Sequence, residues 1–291
     1  MRATKKPMHK PLQDALDTLT SRRRAAPPKK EPATPAPQMT LDLWPDAVRG
    51  VPNAVLRGAL FCVSQRRAWA DRELLAAVDG IEIRFKGQRF NQTDLDLWEM
   101  LVHLARTQPL GSRLDFTAHS MLQALGRGTG KTQHEQLHAE LVRLKAGAVE
   151  ITWTGEKKSF VGGLIGNVYR DHETNRYVVI LDQRMMTLYA DGYSYVDWGQ
   201  RQALGTNSLA KWLHGFYTSH ASPYPYKVDT IRSLCGSSTK ALWEFRRLLK
   251  NALDELVRIG AIRRWHINDQ DLVHVIRVPS VAQTRHLGKR S

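Results

Sequence analysis

Apolar residues in the run DLDLWEMLVHLARTQP, residues 94 to 109, recur three and four positions apart, the spacing that lines one side of an α-helix. The same cadence returns in NSLAKWLHGFYTSHASP, residues 207 to 223. The segments after each run are also alike. The first continues through FTAHSMLQALG (116 to 126), a short turn, GKTQHEQLHAELVRLKAG (130 to 147) and the alternating segments AVEITW and SFVGGLI. The second continues through YKVDTIRSLCG (226 to 236), SSTKALWEFRRLLKNALDELVRIG (237 to 260), AIRRWHI and LVHVIRV. Trp98 aligns with Trp212, Gly126 with Gly236, Leu141-Val142-Arg143-Leu144 with Leu256-Val257-Arg258-Ile259, and Gly147-Ala148-Val149 with Gly260-Ala261-Ile262, at an offset of about 110 residues. One repetition at that distance is a duplicated domain rather than a solenoid.

Each copy predicts helix, helix, turn, long helix and β-hairpin. That is the order of a winged helix, whose third helix enters the major groove and is followed by a two-stranded wing. The expected fold class is therefore α+β, mainly helical, with two tandem winged-helix domains behind a disordered basic tail. The tail is assigned to residues 1–50, the domains to 51–182 and 183–280, and a flexible C-terminal tail to 281–291. The two groove helices are placed at about 131–146 and 239–258. On a helical wheel, Leu242, Phe245, Leu249, Ala252, Leu253, Leu256 and Ile259 share one face of the second, with Lys240, Trp243, Arg247, Asn251 and Arg258 opposite. The first has Leu137, Leu141 and Leu144 inside, and Thr132, Glu135, Ala139 and Arg143 outside. Ser237, Ser238 and Thr239 are expected to cap the second helix, whose N-terminal amides can meet a phosphate. Lys131 opens the first helix, and Lys157 and Lys158 lie at the predicted first wing tip, TGEKK.

Charge then selects the class of partner. Lysine and arginine number 43 against 28 acids, a net +15. Residues 1 to 37 hold nine basic and three acidic side chains, so the rest of the chain keeps a net +9. A polyanion is the natural ligand of such a body, because each neutralised phosphate releases condensed counterions. Apolar runs such as YVVIL at 177 to 181 fall far short of the roughly 18 residues of a membrane span, so no membrane partner is expected. MRATKKPMHK lacks a following apolar stretch, which points to the cytoplasm rather than secretion. Cys62 and Cys235 are too few for a disulfide framework or a zinc site.

Three motifs suggest chemistry and fail on spacing. GRGTGKT (126 to 132) resembles a phosphate-binding loop, but Leu125 stands where the first glycine belongs and a helix precedes it where a strand is needed. HEQLH (134 to 138) satisfies the His-Glu-x-x-His pattern, yet no well-placed third ligand comes after it. Asp94, Asp96 and Glu99 sit in the first turns of a helix, where acids complement the dipole. No enzyme activity, metal or cofactor is expected.

The stretches QTDLDLWEMLVHLARTQPLGSR, ALGRGTGKTQHEQL, YVVILDQRM, VDWGQRQAL and LAKWLHGFYTSHASPYPYKVDTIRSLCGSSTKALWEFRRLLKNALDEL closely resemble the TrfA family of broad-host-range plasmid replication initiators, over about residues 53 to 265. The resemblance implies two winged-helix domains that bind iterons, the direct repeats of a double-stranded plasmid origin. It implies opening of adjacent AT-rich DNA and recruitment of the replicative helicase and its loader. Lys240, Trp243, Arg246, Arg247 and Lys250 are the residues expected on DNA in the second domain. The resemblance also gives a reading of QMTLDLWP, which comes directly after PPKKEPATPAP: Gln38, Leu41 and Leu43, with Trp44 beside them, match a bacterial sliding-clamp ligand, Leu43 standing where phenylalanine is common. The competing use of these apolar residues is to staple the tail to the first domain. A homodimer and a transcriptional repressor built on the same fold are the remaining alternatives.

Overall fold

The computed structural model describes residues 41, 43–78, 80–109 and 111–277. Its centre is helix α2 (Gln92–Ala105), buried on nearly every side. A capping box starts it: the Asn91 side chain accepts from the amides of Thr93 and Asp94, and the Asp94 carboxylate accepts from the Asn91 amide. Around α2 the chain builds β6 (Arg113–Thr117), α3 (Ala118–Ala124) and α4 (Lys131–Ala146), and later the hairpin β9 (Asn167–Asp171) and β10 (Arg176–Ile180). β10 lies between β6 and β9, antiparallel to both.

The second half repeats this plan. Helix α7 (Ser208–Thr218) is followed by β12 (Tyr226–Lys227), α8 (Val228–Leu234), α9 (Leu242–Arg258) and the hairpin β13 (Ile262–Ile267) and β14 (Leu272–Arg277). β14 lies between β12 and β13, so the two three-stranded sheets have the same order. The aligned glycines end equivalent helices in the left-handed region, Gly126 at φ +67° and Gly236 at φ +60°. Behind each, the next amide reaches back to close the helix: Arg127 N to Leu122 O, and Ser237 N to Arg232 O, at 2.9 and 3.1 Å.

The repeat breaks after the long helices. Gly260 leaves α9 at φ +74°, turning the chain directly into β13. Gly147 leaves α4 extended, and a Cβ there would lie 2.4 Å from the Phe90 ring. The chain runs on into β7 (Ala148–Trp153) and β8 (Lys158–Gly162), which join β3 (Trp69–Leu75) and β4 (Ile81–Gln88) in the order β3-β4-β7-β8. This corrects the expected first wing. The hairpin equivalent to β13–β14 is β9–β10, because it returns to the strand between the helices; the 148–162 hairpin belongs to another sheet, held by Val149, Ile151 and Trp153 on its buried face. The fold is also less helical than expected, with fourteen strands among the described residues.

Short pairs complete the body: β1 (Val48–Pro52) with β11 (Tyr193–Asp197), and β2 (Phe61–Cys62) parallel to β5 (Phe90–Asn91). Three small helices, α1 (Asn53–Leu56), α5 (Met186–Ala190) and α6 (Trp198–Ala203), link them. Two apolar clusters result, one from Leu41 to Trp198 and one from Leu204 to Val273. Residues 185 to 198 thus pack with the first cluster, although their sequence assigns them to the second domain. The clusters are interlocked, since Val63, Ala76 and Val78 cover the second one and the Trp212 indole donates to Gly58 O at 3.1 Å.

Candidate nucleic-acid interface

Helix α9 divides cleanly. Phe245, Leu249, Ala252, Leu253 and Leu256 are sealed in the second cluster. On the other side Trp243 is 69% exposed, and Arg247, Lys250 and Asn251 are exposed around it. The helix starts three residues later than its sequence suggests. Ala241 is the N-cap, with no side-chain cap, so Ser237, Ser238 and Thr239 do not cap it. They form a separate turn instead: Ser237 Oγ accepts from the Thr239 amide at 3.2 Å, and Arg232 of α8 donates to Lys240 O at 2.6 Å. That leaves the Lys240 side chain exposed just ahead of the helix. Arg246 points to the wing, where its guanidinium grips Asp271 with two bonds at 2.8 and 3.0 Å. This pair ties the wing turn to α9 and leaves a third of the Arg246 side chain exposed.

Helix α4 shows Lys131, Thr132, Glu135, Gln136, Ala139 and Val142 to solvent. Lys131 stands 3.9 Å from Glu135 one turn on. Arg143, expected outside, is inside. It lies against Asp94 with 7% of its side chain exposed, so it cannot reach DNA. Lys157 and Lys158 are exposed, Lys158 pairing with Glu156 at 2.7 Å, but they ride on the β7–β8 hairpin and not on the first wing.

The acids at the start of α2 are not dipole ornaments in water. Asp94, Asp96 and Glu99 are buried among cations drawn from four other segments. Asp94 takes Arg143 and Arg67; Asp96 takes Arg201 of α6 and Lys211 of α7, both at 2.7 Å; Glu99 lies 3.1 Å from Arg201. Burial pushes the Glu99 carboxyl up to about 7 against the opposing pull of Arg201. Burial also raises Asp96, but Arg201 and Lys211 outweigh it and hold the group below its ordinary value. Arg127 donates to Glu140 at 2.7 Å and to Thr93 O at 3.0 Å. The network joins α2 to α7 and borders a cleft of about 840 Å³. No sequence spacing reveals these pairs, because the partners of Asp94 and Asp96 lie 27, 49, 105 and 115 residues away.

The other motifs are absorbed by packing. Gly126 of GRGTGKT ends α3, and His138 of HEQLH meets the Tyr177 hydroxyl at 3.1 Å. Among the described residues no cluster of three or more His, Cys, Asp or Glu could hold a metal, and no helix is long and apolar enough to cross a membrane. Gln38 lies outside the described residues. Leu41 and Trp44 are both buried, at 4% exposure, while Leu43 is 76% exposed. The Trp44 indole donates to His103 Nδ1 at 3.0 Å, and Arg106 holds both Trp44 O and Asp46. Residues 41 to 50, assigned to the tail from their sequence, thus strap onto the first cluster.

A sequence-family model described as TrfA protein matches residues 36–277. The chain belongs to the TrfA family. Within it, this TrfA-family chain is 28% identical over 245 residues to the plasmid replication initiator protein TrfA of Escherichia coli, covering 80% of the present chain and 63% of that relative's length. Among solved structures, RctB domains 2-3 align at a TM-score of 0.48 and 10% identity, covering 78% of this chain and 97% of that one. The Pi initiator protein in complex with iteron DNA aligns at 0.47 and 11%, covering 62% and 90%.

Proposed function

We propose that this chain is the DNA-binding body of a plasmid replication initiator, in which two winged-helix modules grip the direct repeats of an origin. In this reading α4 and α9 lie in successive major-groove faces of one repeat. The outer face of α9 carries the argument: Trp243, Arg247, Lys250 and Asn251 face solvent along a rod whose other side is locked into a core. Arg247 and Lys250 hold phosphates or guanine edges, a bidentate arginine giving roughly 1 to 3 kcal/mol of discrimination. Trp243 packs on sugar or a thymine methyl, and Lys240, Lys131 and Thr132 meet the backbone at the two helix starts. Several bound copies bend the origin, melting occurs at flexible AT-rich steps, and the host helicase enters there.

The clamp contact remains part of the proposal, with one condition drawn from the packing. Gln38, Leu41 and Leu43 can fill a clamp groove only after the strap leaves its seat, since Leu41 and Trp44 are buried. Changing Gln38 and the exposed Leu43 to alanine is expected to abolish clamp pull-down and leave repeat binding intact.

The deciding experiment is a titration of a duplex bearing the plasmid's own origin repeats. Arg247→Ala is expected to weaken binding to that duplex by about tenfold, the value of one bidentate contact, with an unchanged melting temperature. Equal affinities for the two proteins would refute the groove assignment.

A further inference from the structure

One more basic segment lies between the two long helices. Residues 64 to 68, Ser-Gln-Arg-Arg-Ala, join β2 to β3 without helix or strand of their own. They are nonetheless held from both halves of the molecule. Ser64 Oγ is 3.3 Å from Ser238 Oγ in the turn before α9, and Gln65 Nε2 donates to Ser208 Oγ of α7 at 2.8 Å. Asn91 Nδ2 donates to Gln65 Oε1 at 3.1 Å, the Arg67 guanidinium sits 3.2 Å from Asp94, and the Arg89 amide donates to Ala68 O at 2.9 Å. A loop fixed at this many points loses little further freedom when a ligand arrives.

Its position is set by the two clefts that flank it. The larger, about 840 Å³, reaches α4 at Gln136 and Ala139; the smaller, about 420 Å³, reaches α9 at Leu248 and Asn251. Gln65 lines both. The loop therefore stands between the exposed face of α4 and the middle of α9. Arg67 is committed to Asp94, but Arg66 is exposed and pairs with no carboxylate among the described residues. A lone surface arginine is usually just solvated. Arg66 differs in that its exposed side chain springs from a backbone anchored on both sides, at Gln65 and Arg67, in a loop flanked by the two helices assigned to one duplex.

We propose that residues 64 to 68 are a third DNA-contacting element, with the Arg66 guanidinium donating to a backbone phosphate on the stretch of duplex between the two long helices. This rests on the two-module reading of duplex binding above. The contact carries no base information; it sets the register of the two helices on the DNA.

The test uses the full chain, an origin-repeat duplex and a scrambled duplex, each titrated across a salt series. Arg66→Ala is expected to weaken both complexes several-fold and by the same factor, and to reduce the slope of log K against log salt by about 0.9, one phosphate's worth. Arg66→Lys keeps the charge and should restore the slope, which separates a lost contact from a damaged fold. Ethylation interference should lose one phosphate in Arg66→Ala, in the segment between the two groove contacts. An unchanged slope and an unchanged interference pattern in Arg66→Glu would overturn the loop contact while leaving the two-module reading standing. A loss confined to the repeat duplex would overturn the phosphate assignment. A wild-type chain that binds neither duplex would overturn the two-module reading, and this inference with it.

Discussion

Arg143 of α4 closes a two-pronged ion pair on Asp94 of α2, with Nη2 2.6 Å from Oδ1 and Nε 3.0 Å from both carboxylate oxygens. Its counterpart in the duplicated module, Arg258, is exposed and, among the described residues, reaches Glu255 of its own helix and Ala203 O. The difference lies in the partner helix. Where α2 has Asp94, the Trp98-to-Trp212 alignment puts Ser208 on α7, so the second module offers no acid to draw its arginine inward.

Removing one member of a buried pair leaves the other charge uncompensated. Arg143→Ala should therefore cost about 3 to 5 kcal/mol of stability, read by urea denaturation. Arg258→Ala should leave stability nearly unchanged, because solvent screens an exposed pair. The folded Arg143→Ala chain should keep the wild-type salt dependence of DNA binding, since the side chain makes no external contact.

The strap makes a second prediction. Trp44 fills a site where the Gly50 backbone approaches so closely that a Cβ there would lie 2.9 Å from the indole. Trp44→Ala should cost about 3 to 5 kcal/mol through the cavity it leaves. Trp44→Phe keeps much of the volume but strands His103 Nδ1, and should cost about 1 to 3 kcal/mol. Limited proteolysis near residue 44 should quicken in the order wild type, Phe, Ala.

His103 gives the pH dependence. Burial, then Arg49 and Arg106, push its imidazole down to about 4, and its Nδ1 must stay unprotonated to accept from Trp44. A base depressed on folding contributes stability that is complete above its ordinary 6.5 and is lost as pH falls through 6.5 toward 4. The loss is on the order of 2 kcal/mol by the usual conversion, after a discount for solvent screening. His220, at about 4, and His214, at about 3, move the same way, again chiefly through burial. His103→Asn presents Oδ1 to Trp44 without titrating. Its melting temperature should fall less steeply than wild type between pH 6.5 and 4.

The two turn glycines are equivalent in backbone and unequal in surroundings. A Cβ on Gly236 would lie 2.7 Å from the Cys62 Cβ, whereas one on Gly126 would meet only the end of the Gln202 side chain at 3.1 Å. Both substitutions carry the left-handed penalty of about 1 to 2 kcal/mol. Gly236→Ala should cost about 1 to 3 kcal/mol more than Gly126→Ala, the range for overpacking a rigid site, as read by denaturation midpoints at constant m.

How much was legible in the chain depends on the range of each cause. The order of the helices, the glycines at 126 and 236 and the split of α9 into a sealed and an exposed face are readable, because each depends on neighbours three to seven positions away. The first wing was misread because AVEITW and SFVGGLI alternate as any hairpin does. Alternation says that one face is buried and not which sheet buries it. SSTK offers capping residues that predict an earlier start for α9, but the backbone uses them in a turn that Arg232 holds from α8.

Periodicity and composition by themselves determined that the chain is a basic, twice-built body with long amphipathic helices, since apolar spacing and net charge are properties of the string. Only the tertiary structure decided which cations are paired within the chain and which stay exposed. Arg143 is spent on Asp94, Arg246 on Asp271 and Arg67 on Asp94, while Arg247, Lys250 and Arg66 stay exposed. The physical reason is that a charge is settled by the nearest carboxylate in space, and that neighbour arrives from a different helix or turn.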